Sequence, residues 1–354
     1  MHGADATMLA PSKLSFRCYN MTLNCAGAPG KGSGLARKVP PISCVLIAFE
    51  SAMRDNRVMA GRNLIAAHFD HRRSYDDFYY VYPVISRRSQ GVSIGVNLNP
   101  DKHCNFDCVY CEVDRVSPAR RKDVDVGVLA QELEDMLRIY QDGSLFAREP
   151  FASAPKSWRA LNDIAFSGEG EPTTCRFFEQ AVEAAWSVRE SLGLEKTKLV
   201  LITDAACLDR PGVKRGIRRM QEGRHEIWAK LDAGTADYYR VVNRSRVSYA
   251  RILKNIAETA RWCPLFIQSL FLRVRGEPPA ESEIRAYAAR LNEIQAQGGK
   301  ILGLQLYTMA RPSEVTWVTP LADDELDRIA ALIKELTGLP SQIYYGKHVH
   351  GVRG

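Results

Sequence analysis

The stretch DKHCNFDCVYCEVD, residues 101–114, places Cys104, Cys108 and Cys111 on one short segment, with no further cysteine before Cys175. Soft thiolates at such spacing select zinc, copper or iron–sulfur groups. A structural zinc site is closed by four protein ligands, whereas three ligands leave a coordination position open for chemistry. His103 adjoins Cys104, and adjacent residues rarely converge on one metal, so it is a poor fourth ligand. The segment follows directly on GVSIGVNL (91–98), an apolar run that reads as a buried strand.

That strand is the first of a series. DVGVLAQELEDMLRIYQ (125–141) has helical spacing in Val128, Leu129, Leu133, Met136 and Leu137. LNDIAFSG is a second strand, and RFFEQAVEAAWSVRESLG a helix stopped by Gly193. KLVLITD is a third strand, before a helix opened by Pro211. HEIWAKLD is a fourth strand, and a long loop leads to the helix SYARILKNIAETARW. LFIQSLFLR and KILGLQLYT are the fifth and sixth strands, followed by helices AESEIRAYAARLNEIQAQG and ADDELDRIAALIKELTG. Short, nearly continuous apolar strands alternating with helices predict a parallel sheet covered on both faces. The fold class is therefore α/β, a partial (βα)6 TIM-like barrel curled by right-handed crossovers. Chemistry in such barrels sits on loops after the C-terminal strand ends, where the cysteine segment lies.

The 354 residues are 45% hydrophobic and 25% charged, with a net charge of +7. This is ordinary for a chain with a sizeable core. The mild basic excess permits an anionic partner without requiring one. Nine cysteines, clustered only once, argue against a disulfide framework and for a reduced, cytoplasmic setting. No run approaches a membrane span, so no membrane partner is expected. Residues 1–60 are rich in Gly, Ala and Pro and poor in acids. They read as a disordered extension or as sequence upstream of a true start at Met53 or Met59, leaving Cys18, Cys25 and Cys44 without function. The regular part spans 79–345, and 346–354 is a tail.

Cys-x3-Cys-x2-Cys with Tyr110 before the last cysteine resembles the signature of the radical S-adenosylmethionine (SAM) superfamily. Further phrases, SGEGEPT, KLDAGT, VNRSRVSYARIL and LQLYTMARP, are similar to a little-characterised group of stand-alone radical SAM proteins. That group itself resembles the enzymes that build the tricyclic wybutosine base of tRNA. The resemblance implies that Cys104, Cys108 and Cys111 hold three irons of a [4Fe–4S] cluster, whose fourth iron binds the amino and carboxylate groups of SAM. One electron then cleaves SAM, and a 5′-deoxyadenosyl radical abstracts hydrogen from a substrate. Cys175, Cys207 and Cys263 stand outside this set.

FSGEGEPT (166–173) resembles the family segment that contacts the SAM amino group, through Gly168, Glu169, Gly170 and Glu171; which carboxylate faces SAM stays open. Asp204 stands where related proteins carry Thr-Asn-Gly-like residues, either binding a hydroxyl or capping a helix. Lys230 and Asp232 point inward together, either to meet the SAM carboxylate and ribose or as a structural ion pair. The resemblance makes Tyr110 an adenine-side backbone or stacking contact. Arg311, and equally Asn243 and Arg244, either hold a substrate anion or belong to the surface. An external one-electron reductant of the flavodoxin or ferredoxin type is implied. The substrate is unidentified; tRNA is one candidate and a peptide or protein a rival. A non-catalytic zinc or iron–sulfur scaffold is the alternative class, though it needs neither GEGEP nor six βα units.

Overall fold

The computed structural model describes residues 73–346, residue 312 excepted. The expectations for residues 1–60 and for the tail beyond 346 lie outside the described residues. The main sheet has eight strands: Val81–Ser86 (β1), Gly91–Val96 (β2), Leu161–Phe166 (β3), Lys198–Thr203 (β4), His225–Lys230 (β5), Leu265–Leu270 (β6), Ile301–Tyr307 (β8) and Ser341–Tyr344 (β10), adjacent in that order. Leu272–Val274 (β7) and Val318–Pro320 (β9) form a separate antiparallel pair. Helices are Val126–Gln141 (α1), Phe178–Ser191 (α2), Pro211–Gln221 (α3), Ala236–Val242 (α4), Tyr249–Trp262 (α5), Glu281–Ala296 (α6) and Asp323–Thr337 (α7).

From β2 onward every pairing in the main sheet is parallel, and a helix follows each of β2, β3, β4, β5, β6 and β8. These are the six predicted βα units. The sheet gains an antiparallel strand, β1, at one edge and a parallel strand, β10, at the other. The two edges do not pair with each other, so the barrel is open. All eight strands line one cavity, through Tyr82, Ser93, Asp163, Ile202, Lys230, Gln268, Tyr307 and Tyr344. A flat sheet could not bring these residues together; this one is curled.

Strand alternation sorts the two faces. Ile164, Phe166, Leu199, Leu201, Ile227 and Ile267 pack in the main core with helix residues such as Leu133, Val182, Ile217 and Ile256. Ala165, Val200, Trp228 and Phe266 make a small inner cluster below the cavity. The inner wall is otherwise polar, which continuous apolar runs in the sequence conceal. Gly95 is required on β2 because the Tyr82 ring from β1 fills the space of its missing side chain.

The helix boundaries follow their signals. Asp125 Oδ1 accepts from Gly127 N and Val128 N (3.0 and 3.1 Å) at the start of α1. Gly193 and Gly338, at φ 68° and 69°, end α2 and α7. Two expectations need correction. LFIQSLFLR is not one strand: it breaks at Phe271, and its second half pairs with β9 instead of the main sheet. The loop after β5 contains α4, capped by Thr235 Oγ1 accepting from Tyr238 N (3.2 Å); at seven residues it is too short to show a helical period. No helix among the described residues is long and apolar enough to cross a membrane.

The antiparallel edge is held by one buried carboxylate. Glu132 on α1 accepts from the backbone N–H groups of Tyr79, Tyr80 and Val81 (2.8, 2.8 and 3.2 Å). Glu132→Ala would leave these donors unsatisfied, at about 1–3 kcal/mol for a buried orphan. Urea unfolding should show a lower midpoint with an unchanged slope; an unchanged midpoint would mean that β1 is positioned otherwise.

Candidate active site

The cysteine loop leaves the end of β2 and is pinned from two directions. Asp107 N and Val109 N donate to the carbonyls of Asn243 and Val242 (3.1 and 2.9 Å), at the C-terminal end of α4. Arg244 Nε donates to Asp107 O (2.7 Å) and Ser245 Oγ to Asn105 O (2.9 Å). From the far side, Ser313 Oγ donates to Val109 O (2.6 Å), and Arg311 pairs with Glu112. The VVNRS segment is thus a clamp on the loop. Asn243 and Arg244 belong to that clamp and do not line the cavity.

The centre of the clamp is Asp232, 2% exposed. Its Oδ2 accepts from Tyr110 OH and from Asn243 Nδ2 (2.8 Å), and its Oδ1 from Leu270 N (2.9 Å). The sequence leaves Asp232, with Lys230, as a ligand contact or half of an ion pair; in the structure its acceptors are used inside the wall, and it is absent from the cavity lining. No ion pair joins it to Lys230 among the described residues. The reason is burial, since a carboxylate removed from water must collect donors. Burial pushes the Tyr110 hydroxyl well above its ordinary range, reinforced by the Asp232 charge beside it.

Cys104, Cys108 and Cys111 all line the cavity, whose volume is about 340 Å³. Asn243 Nδ2 donates to Cys108 Sγ (3.5 Å) and Arg115 to Cys111 Sγ (3.7 Å). Burial pushes the Cys104 thiol up to about 11, with Asp204 adding to it. Burial also raises the Cys108 thiol to about 12, although Lys230 opposes it. Both thiolates therefore need a cationic partner to persist at neutral pH. Among the described residues, no three His, Cys, Asp or Glu side chains converge on a single-ion position. Three soft thiol donors around one cavity fit an iron–sulfur group as well as zinc.

The Gly168–Glu171 segment faces this loop from the end of β3. Added side chains would strike Asn97 at position 168, and Asn99 and the His103 carbonyl at position 170. These glycines let the two segments close on each other. Asn97 grips Glu169 at both ends: its Nδ2 donates to Glu169 Oε2 (2.9 Å), and its Oδ1 accepts from Glu169 N (3.1 Å). Glu169 Oε1 has no partner among the described residues.

Glu171 is different. It is buried, and it accepts from Thr173 N (3.1 Å), the Thr173 hydroxyl, Thr203 Oγ1 (2.6 Å) and Asp204 N (2.6 Å). It ties the end of β3 to the end of β4. Asp204 Oδ1 accepts from Ala206 N (2.8 Å), while its buried Oδ2 has no partner. Burial, with Glu171 alongside, raises the Asp204 carboxyl well above the usual range.

Lys230 lines the cavity with its ammonium 5.6 Å from the Tyr110 ring centroid. Burial alone would lower its pKa, but Tyr307, Cys108, Asp232 and Cys111 together hold it above the ordinary lysine value. Arg311 also reaches the cavity, so it is not merely surface charge. Asn97 and Asn99 were missed by sequence reasoning. Their signal was present: N-x-N directly after an apolar strand places two amides where only a specific polar network can keep them buried.

Fold and site together define a class: an open parallel α/β barrel presenting three thiols at the C-terminal ends of its strands. No family model matches the chain. It is similar to the "UPF0026 protein" of Helicobacter pylori strain ATCC 700392 / 26695, at 24% identity over 249 residues, 69% of this chain and 70% of that one. The counterpart of strain J99 is 23% identical over 246 residues, with the same coverage. Among solved structures, TYW1 with a lysine-pyruvate adduct bound is similar at TM-score 0.44 and 16% identity, covering 70% of this chain and 74% of that one. Archaeal TYW1 gives TM-score 0.43 at 14% identity, with 75% and 77% covered. Streptococcus suis SuiB bound to S-adenosylmethionine gives 0.46 at 13%, with 75% and 50% covered.

Replacing Asp232 by Ala should release the clamp. Reaction of the chain's thiols with an aromatic disulfide reagent should gain a fast phase traceable by mass spectrometry to the 104–111 loop. An unchanged labelling rate would show that the loop is held without Asp232.

Proposed function

We propose that this chain is a radical SAM enzyme. The observation that carries the reading is that three thiols and the Gly168–Glu171 segment face each other across one cavity at the C-terminal strand ends of an open barrel. The sequence resemblance to that superfamily places its two motifs on these segments. Cys104, Cys108 and Cys111 would hold a [4Fe–4S] cluster. When bound and reduced, that cluster supplies the electron that cleaves SAM to methionine and a 5′-deoxyadenosyl radical, which abstracts hydrogen from the substrate.

The chain's own residues bind and orient. Glu169, fixed by Asn97, offers its second oxygen to the SAM ammonium as a charge-assisted acceptor. Glu171 is a strut for β3 and β4, because its acceptors are committed. Asp204 presents a buried oxygen suited to accept from a hydroxyl. Lys230 remains charged and faces the cavity, suited to the SAM carboxylate. Tyr110 fixes the loop through Asp232, and the sequence resemblance alone assigns it to the adenine side. The electron would come from an external flavodoxin- or ferredoxin-type reductant. tRNA is a candidate substrate through the resemblance to wybutosine-forming enzymes, and a cytoplasmic setting is proposed from a cysteine content clustered only once.

Anaerobic reconstitution followed by dithionite should yield a brown protein that releases 5′-deoxyadenosine. Cys104→Ala, Cys108→Ala and Cys111→Ala should each lose most of their iron, whereas Cys175→Ala should not. Colourless wild type holding zinc and binding no SAM would return the chain to the non-catalytic alternative.

Glu169→Ala and Glu171→Ala should separate by kind of defect. Glu169→Ala should keep its iron and bind SAM about 10- to 100-fold more weakly, the loss expected for one charge-assisted hydrogen bond. Glu171→Ala should instead lose thermal stability. Normal SAM affinity in Glu169→Ala would remove Glu169 from the binding site.

A further inference from the structure

One side of the cavity carries more positive charge than its carboxylates offset. Arg87 and Arg88 lie on the turn between β1 and β2, Arg311 lies on the loop after β8, and all three line the cavity. The turn is fixed by Ser89 N donating to Ser86 Oγ (3.1 Å) and by Asn162 Nδ2 donating to Ser89 O. Arg87 Nη1 donates to the carbonyl of Tyr345, just beyond β10 (3.1 Å), and so spans the gap between the two open edges of the sheet. Arg311 pairs with Glu112, with Nε 3.2 Å from Oε1.

Arg88 stands 5.8 Å from the Trp228 ring centroid and 5.5 Å from that of Tyr307. No described carboxylate pairs with Arg88 or Arg87, so Glu112 is the one anion paired with the trio. Burial lowers the pKa of Arg87, and the neighbouring Arg88 and Arg311 lower it further. Half-buried like charges repel more strongly than they would in water. A fold that keeps them together gains most when an anion joins them.

We infer that Arg87, Arg88 and Arg311 form the binding site for a phosphoryl group of the substrate. Two positive charges are left over once Glu112 is paired, which matches a phosphate monoester at about −1.5 to −2 better than a carboxylate at −1. Guanidinium forks bind phosphate oxygens bidentately. Trp228 and Tyr307 hold the Arg88 guanidinium in place, and Tyr307, on the cavity wall beside it, suits a ring next to that phosphoryl group, as in a nucleotide. A free nucleotide and the 5′-terminal phosphate of an RNA share this chemistry, whereas an internal RNA phosphodiester carries only about −1. Arg88 comes from the turn at the N-terminal ends of the parallel strands, whereas the thiols and Glu169 stand at their C-terminal ends. Arg311, paired with Glu112 beside Cys111, joins the two ends, so the anion site adjoins the cofactor's within one cavity. That its ligand is a substrate rests on the radical SAM reading.

The test uses the full reconstituted chain. The four nucleoside 5′-monophosphates are titrated calorimetrically, each beside its unphosphorylated nucleoside, with and without saturating SAM. At least one monophosphate should bind tenfold or more tightly than its nucleoside, and inorganic phosphate should compete with it. Among the described residues the Arg88 side chain makes no hydrogen bond, so Arg88→Ala removes none there. It should erase the preference while leaving SAM affinity and uncoupled 5′-deoxyadenosine release unchanged; Arg311→Gln should weaken it, and Arg88→Lys should keep part of it. A 5′-phosphorylated single-stranded RNA that outcompetes both the mononucleotide and its own 5′-hydroxyl counterpart would assign the phosphoryl group to an RNA end, and weaker RNA binding to a free nucleotide.

Equal binding of every nucleotide and its nucleoside would overturn the inference while leaving SAM cleavage intact. So would a loss of SAM affinity in Arg88→Ala, which would assign the guanidinium to the cofactor's carboxylate. An Arg88-dependent nucleotide preference in a chain that binds no SAM would sustain the anion site and remove the radical reading.

Discussion

The buried carboxylate of Asp232 is the interaction on which the candidate site depends. A charged group at 2% exposure survives only when its oxygens are fully engaged. Asp232 engages three donors that come from three parts of the chain: Tyr110 on the cysteine loop, Asn243 after α4, and Leu270 at the end of β6. Asn243 uses the same amide to reach Cys108. The sulfur environment and the barrel wall are thus one network, and the thiol loop inherits the rigidity of the sheet.

The same device recurs at other joints. Glu132 anchors the antiparallel edge strand to α1, Glu171 joins the ends of β3 and β4, and Glu283 accepts from Gly234 N, Thr235 N and Thr235 Oγ1 at the start of α4. Each is an acidic side chain satisfying backbone donors that a loop would otherwise leave unpaired. An open barrel needs such struts because it lacks the last rows of ladder hydrogen bonds that would close its sheet. Its cavity is consequently walled by polar groups. Hydroxyls and carboxylates gather where the cysteine loop meets β3 and β4, and guanidiniums gather where β1 and β10 fail to meet.

How much was legible in the sequence depends on the range of each interaction. The six βα units were readable because apolar strand runs, Asp125, Pro211, Gly193 and Gly338 are local signals, each expressed within a turn or a strand. The edge strands β1 and β10, the split at Phe271 and the seven-residue α4 were not, because nothing local distinguishes a short strand that pairs from one that does not. Pairing is decided by what lies alongside.

The site divides in the same way. The spacing of Cys104, Cys108 and Cys111 alone determined that three thiols share one loop, and the glycines of GEGEP announced a close backbone approach. Only the tertiary structure could separate Glu169 from Glu171, withdraw Asp232 from the cavity, turn Asn243 and Arg244 into a clamp, and gather Arg87, Arg88 and Arg311 from opposite ends of the chain. A side chain's type is written in the sequence. Whether its polar atoms are used up inside the wall or left for a ligand depends on donors that folding brings from far away.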